Sequence, residues 1–231
     1  MKQLPLDLKS RSEATFDDFV AGGNGEVLAR LRALAAPGNY DMIYLWGAAG
    51  SGRSHLLAAS AAAARAAGRP VWELRASSPA GEGPAPGGLV TADDVERLAP
   101  QAQIELFRAI NTAPLAGLAL LVAGAAPPAA LALREDLKSR LAAMLVFELK
   151  PLSDEDKAEA LMAEARGRGL RIERETVDYL LRRADRDLPS LLAVLDRLDR
   201  ASLALKRAGS LALLREVLRE GAQPGEPAPE S

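Results

Sequence analysis

Residues 47–54 read Gly47-Ala48-Ala49-Gly50-Ser51-Gly52-Arg53-Ser54, the spacing G-x-x-x-x-G-K-[ST] with arginine where lysine is usual. Glycines at 47, 50 and 52 allow a tight turn that aims backbone N–H groups at phosphate oxygens, and the N-terminus of the following helix adds partial positive charge. Ser51 lies within the loop, and Ser54 stands where a hydroxyl ligates Mg²⁺. A Gly-rich turn that binds nothing is the bland alternative, but an apolar run before it and a helical pattern after it supply the required context. Arg53 can grip phosphate through its fork of donors, yet it is bulkier than lysine and places no compact charge between terminal phosphates. Phosphate binding is therefore expected to survive the change, and hydrolysis is in doubt. Downstream, Asp93-Asp94 closes a short apolar run. Asp93 is the candidate to hold the metal, directly or through water, and Asp94 stands near the attacking water. The competing reading is that this pair merely starts the next helix.

The elements that must position these groups can be read from periodicity. Met42–Trp46 is a continuous apolar run, the pattern of a strand buried on both faces, and Val71–Leu74, Leu89–Ala92 and Ala119–Ala123 are further strands. Helices are expected over Glu26–Ala35, Ser54–Ala67 and Pro100–Ala113, with a short one within Ala130–Leu141. Strands alternating with helices predict an α/β fold with a parallel sheet covered on both faces. Ser77–Gly88 is too rich in Pro and Gly for regular structure. From Pro151 the pattern turns helical, with Ser153-Asp154-Glu155-Asp156 as a helix start, and three or four amphipathic helices run to about Glu220. The expected organisation is a tail at 1–11, a sheet domain at 12–150, a helical domain at 151–220 and a disordered tail at 221–231.

Composition narrows the function classes. The 231 residues are 48% hydrophobic but only 4% aromatic, so the core must be aliphatic. There is no cysteine, which excludes disulfides, thiolate zinc sites and a thiol nucleophile. No signal-peptide core and no membrane-length apolar stretch are present, so a cytoplasmic protein without membrane attachment is expected. A net charge of −2 gives no drive toward a phosphate backbone, and direct DNA binding should be weak or absent.

In order and content these motifs resemble the AAA+ core of the DnaA-like branch, and within it the short Hda regulators of DnaA inactivation. Thr15-Phe16-Asp17-Asp18-Phe19-Val20 is similar to the stretch that opens the family domain and contributes to the adenine pocket, which makes Phe16 a candidate contact. Leu45-Trp46-Gly47 into Gly52-Arg53-Ser54-His55-Leu56-Leu57 resembles the Hda form of the loop, in which arginine also replaces lysine, and it brings in His55. Pro151–Lys157 and Leu195–Ser202 resemble the Hda lid. The resemblance implies an AAA+ P-loop domain followed by a helical lid, with ADP or ATP and Mg²⁺ as bound groups. It also implies that Arg140, in the box Ser139-Arg140-Leu141 beyond the last strand read, is an arginine finger acting on a neighbouring subunit's nucleotide. Arg186 would be the lid arginine that senses nucleotide within the same chain. One departure concerns Ala123-Gly124-Ala125-Ala126, which stands where the family carries polar residues toward the terminal phosphate, so self-catalysed hydrolysis should be feeble. A second is that Ser77–Gly88 is too short for the helix that relatives insert there, which simplifies the sheet edge.

Gln3-Leu4-Pro5-Leu6-Asp7-Leu8 is similar to the Gln-Leu-x-Leu-x-Leu peptide that docks on the replicative sliding clamp, the β subunit of DNA polymerase III. Gln3 supplies an amide, and Leu4, Leu6 and Leu8 supply apolar anchors on an extended chain. A leucine-rich tail could equally pack on its own domain. Taken together, the expected function is negative regulation of replication initiation: docking on the clamp and presenting Arg140 to ATP held by DnaA, with self-association left open. A self-sufficient ATPase such as a helicase loader is the enzymatic alternative, opposed by Arg53, Ala123 and Ala125. A DNA-binding initiator fragment is the third reading, opposed by the lack of a helix-turn-helix pattern after Glu220 and of basic excess.

Overall fold

The computed structural model describes residues 14–75, 83–184, 187–205 and 207–220. Gln3, Leu4, Leu6 and Leu8, the loop residues 76–82, Arg186 and the stretch 221–231 lie outside the described residues. Two compact units are present, the first ending at Pro151 and the second starting at Leu152.

The first unit is built on five parallel strands: β1 (Met42–Trp46), β2 (Val71–Leu74), β3 (Leu89–Ala92), β4 (Ala119–Gly124) and β5 (Leu145–Glu148), in the order β2-β3-β4-β1-β5. Alternate side chains serve opposite layers, as the two-residue period of a strand requires. Ile43, Leu45, Leu121 and Ala123 pack with Leu31 and Leu56 of helices α1 (Gly25–Ala35) and α2 (Arg53–Ala66). Tyr44, Leu120 and Val122 face Leu106 and Leu137 of helices α3 (Pro100–Ala116) and α4 (Glu135–Ala142). A sheet covered on both faces explains why β4 is buried throughout and reads as an unbroken apolar run. Trp46 pairs with Gly124, and Ala92 pairs with Val122. The loops leaving β1, β3 and β4 therefore open at one end of the sheet, where such folds bind ligands.

Three features add to the sequence reading. A fifth strand follows the Ser139-Arg140-Leu141 box, so that box lies in α4 between β4 and β5 and not beyond the last strand. Asp94 is the N-cap residue of a short 3₁₀ helix at Val95–Arg97, which stands between the Asp93-Asp94 pair and α3. Asp94 is also the one non-glycine with positive φ, +43°, among the described residues, and aspartate tolerates that left-handed region better than most side chains do. At the opposite end of the sheet Arg69 is buried with no carboxylate partner among the described residues. Its guanidinium donates to the carbonyls of Leu34, Ala36, Asn39 and Gly87 at 2.6 to 3.0 Å, tying the end of α1 to the strand β3 entry.

Among the described residues the second unit has four helices, α5 (Asp154–Gly167), α6 (Arg174–Arg183), α7 (Leu188–Leu205) and α8 (Leu211–Glu220). The expected start at Ser153 is a full capping box. The Asp156 N–H donates to Ser153 Oγ, and the Ser153 N–H donates to Asp156 Oδ2. Leu161, Leu180, Leu191, Leu195 and Leu214 form the unit's own aliphatic core. Among the described residues no helix is long and apolar enough to cross a membrane.

Candidate nucleotide-binding site

Gly47 follows β1 directly, and a Cβ there would lie 2.9 Å from both the Leu149 carbonyl and Ser51 Oγ. Gly50 and Gly52 have φ of +76° and +93°. At Gly52 a Cβ would also stand 2.6 Å from the Phe19 ring. The loop is thus a cradle that side chains would fill. Gly52 caps α2 without a side-chain hydrogen bond, so the first amides of that helix remain available to an anion.

Two polar atoms in this turn are buried without a partner, Ser51 Oγ and Arg53 Nη1. An unsatisfied buried donor costs about 1–3 kcal/mol, and a phosphate oxygen in the cradle is the group that would relieve it. The residues present therefore fit a nucleotide phosphate. Arg53 itself is 12% exposed, with Nη2 3.6 Å from Asp94 Oδ1. The exposed Arg97 reaches the other oxygen of Asp94 at 3.7 Å. Asp94 is consequently turned toward cations, while Asp93 accepts the Asp94 N–H through its own carboxylate at 2.9 Å. Ser54 and Asp93 line one open cavity of about 860 Å³, together with His55 and Thr91. At its far end Glu73 pairs with Arg75 and Arg65, whose hydrogen bonds hold the carboxyl below its ordinary range. Among the described residues no group of three His, Cys, Asp or Glu could hold a metal. If Mg²⁺ accompanies a bound nucleotide, Ser54, Asp93 and phosphate oxygens are the groups that would hold it, with few protein ligands as is usual for that ion.

Phe16 is buried among core residues beneath the Arg32 guanidinium, 5.4 Å from its ring. The ring that borders the loop is Phe19, which lies 6.0 Å from the His55 ring. His55 Nε2 is 2.8 Å from the Thr15 carbonyl and joins α2 to the opening segment.

The tip of β4 differs most from the sequence reading. β4 contributes no polar side chain there, but two other elements do. The Tyr44 hydroxyl donates to the Ala126 carbonyl at 2.7 Å, and Glu96 Oε1 accepts the Ala125 N–H at 3.2 Å. A Cβ on Gly124 would meet the Tyr44 hydroxyl and lie 3.2 Å from Glu96 Oε2, so glycine is what makes room for both. Burial, and secondarily the Glu96 charge, pushes the Tyr44 phenol well above its usual range, and Arg53 acts in the opposite sense. The loop guanidinium and the Glu96 carboxylate thus bear on one hydroxyl. Neither Tyr44 nor Glu96 belongs to a local motif, and the one hint in the sequence is the absence of polar side chains at 123–126.

Arg140 occupies the last turn of α4 and is exposed. Among the described residues it has no ion-pair partner, whereas Arg134 is held by Asp136 at 2.6 Å.

Comparison with known proteins agrees with this geometry. Residues 154–218 match the family model described as the Hda lid domain. Domain III of the Thermotoga maritima replication initiation protein DnaA superposes with a TM-score of 0.72 at 18% identity, over 91% of this chain and 98% of that one. A replication initiator DnaA bound to AMPPCP and single-stranded DNA gives 0.69 at 20%, over 90% and 69%. A Thermotoga maritima RuvB mutant gives 0.68 at 17%, over 90% and 72%. These likenesses establish the fold of the sheet unit, and the family model assigns the helical one. The chain therefore shares its fold with these DnaA and RuvB structures, and its helical unit matches the Hda lid domain.

Proposed function

We propose that this protein is a replication regulator that binds ADP or ATP with Mg²⁺, docks on the sliding clamp through Gln3, Leu4, Leu6 and Leu8, and presents Arg140 to ATP bound by DnaA. The observation that carries the reading is the free guanidinium of Arg140. An exposed arginine on a short helix, paired with nothing among the described residues, is available to another subunit's site. A finger of this kind stabilises charge that develops on the transferring phosphoryl group. In the chain's own site, Gly47, Gly50, Ser51, Gly52, Arg53 and Ser54 would hold the phosphates, Asp93 and Ser54 the metal, and Phe19 and His55 the side of the loop. Arg186 would report on nucleotide from the lid. Bound nucleotide supplies the polyanion that satisfies Ser51 and Arg53. The relation to DnaA and the Hda-type lid support DnaA as the partner, and the absence of a polar β4 side chain supports a regulator over an independent ATPase.

The test is the decay of ATP bound to DnaA with and without this protein, in the presence of a DNA-loaded clamp. Faster decay that requires both additions is the expected result. Equal decay in all mixtures would remove the regulatory reading.

A further inference from the structure

We propose that Glu96 is the residue that sets nucleotide preference in this site, admitting a diphosphate and opposing a third phosphate. The inference rests on the nucleotide-binding reading above.

Glu96 comes from the turn after β3, yet it is anchored at the tip of β4 by the Ala125 N–H. Its second oxygen, Oε2, is buried and without a hydrogen-bond partner. The nearby phenol cannot supply one, because the Tyr44 proton is committed to the Ala126 carbonyl. No cation answers Glu96 among the described residues, although Asp94, two residues earlier, draws both Arg53 and Arg97. Glu96 therefore presents a buried carboxylate oxygen that neither an ion pair nor a hydrogen bond satisfies among the described residues.

Its location is what gives that charge a role. Gly124 pairs with Trp46, the residue immediately before the phosphate loop, and Glu96 Oε2 sits 3.2 Å from the place of a Gly124 Cβ. Arg53 and Glu96 both act on the Tyr44 hydroxyl, so the loop's guanidinium and this carboxylate share one neighbourhood. A phosphate chain extended from the cradle toward the strand tip gains Arg53 and then meets Glu96. With an effective dielectric of about 20, one unit charge a few ångströms away changes affinity by about tenfold or more. The cost falls on the longer and more highly charged polyphosphate. A polar β4 side chain would lie in the same space, and the glycine that excludes it is what lets Glu96 in.

Glu96→Gln keeps an acceptor for the Ala125 N–H and removes the charge. ADP and AMPPCP, each with Mg²⁺, are titrated calorimetrically into the full chain and into this variant. The parent should favour ADP by about tenfold or more, and the variant should narrow that preference by about tenfold, chiefly by binding AMPPCP more tightly. An unchanged preference while both proteins bind ADP overturns the role of Glu96 and leaves nucleotide binding standing. Loss of all binding in the variant alone also overturns it, since Glu96 would then hold the site together and not discriminate. A parent that binds neither nucleotide refutes the nucleotide-binding reading itself.

Discussion

Gly52→Ala would place a methyl carbon 2.6 Å from the Phe19 ring and force an alanine to φ +93°. The left-handed backbone alone costs about 1–2 kcal/mol, and the ring must move to accept the new atom. The expected outcome is a folded protein of lower melting temperature whose melting shift with ADP and Mg²⁺ is lost. A shift equal to the parent's would show that the cradle is not the phosphate site. The loop was legible because its chemistry is local: three glycines, an arginine and a serine at fixed spacing between a strand and a helix. Glu96 was not legible, since only the folded turn after β3 carries it to Ala125. Phe16 and Phe19 sit three residues apart in one short segment, and which ring borders the loop is decided by packing against α1 and not by spacing.

Strands β1 and β3 coincide with the runs at 42–46 and 89–92, because a strand inside a covered sheet has little choice but to be largely apolar, and β2 coincides with 71–74 although it is an edge strand that carries Glu73. Strand β5 lacks that signature. It is an edge strand of four residues in which Leu145 and Val146 are exposed, so neither an unbroken buried run nor an alternating pattern marks it. Arg69 was likewise invisible as anything but one more charge. Buried arginine with only carbonyl partners is demanding, because its fork of donors matches several acceptors at once. Arg69→Lys cannot reproduce those contacts and should leave carbonyls unsatisfied at the α1 end. A loss of about 2–3 kcal/mol in urea unfolding is expected. A midpoint unchanged from the parent would mean that solvent satisfies these carbonyls and the clamp contributes little.

At the scale of the whole molecule, the reading assigns separate tasks to separate places: a tail that docks, a sheet unit that holds nucleotide, and an exposed arginine that acts elsewhere. Changing Leu6 and Leu8 to Ala should abolish capture by the sliding clamp and leave thermal stability and ADP binding as in the parent. In the proposed function these leucines would be the apolar anchors, and removing them would take away the contact area that makes such a peptide bind. Retained capture would place the clamp contact outside the tail. The most direct measurement of the central claim is single-turnover decay of ATP on DnaA with DNA-loaded clamp, comparing equal amounts of the parent and Arg140→Ala. In well-studied GTPases a finger supplied in trans is worth about 10³–10⁵ in rate. The account predicts that the variant binds ADP and the clamp like the parent but no longer accelerates decay. Acceleration equal to the parent's would contradict it, making Arg140 a surface charge.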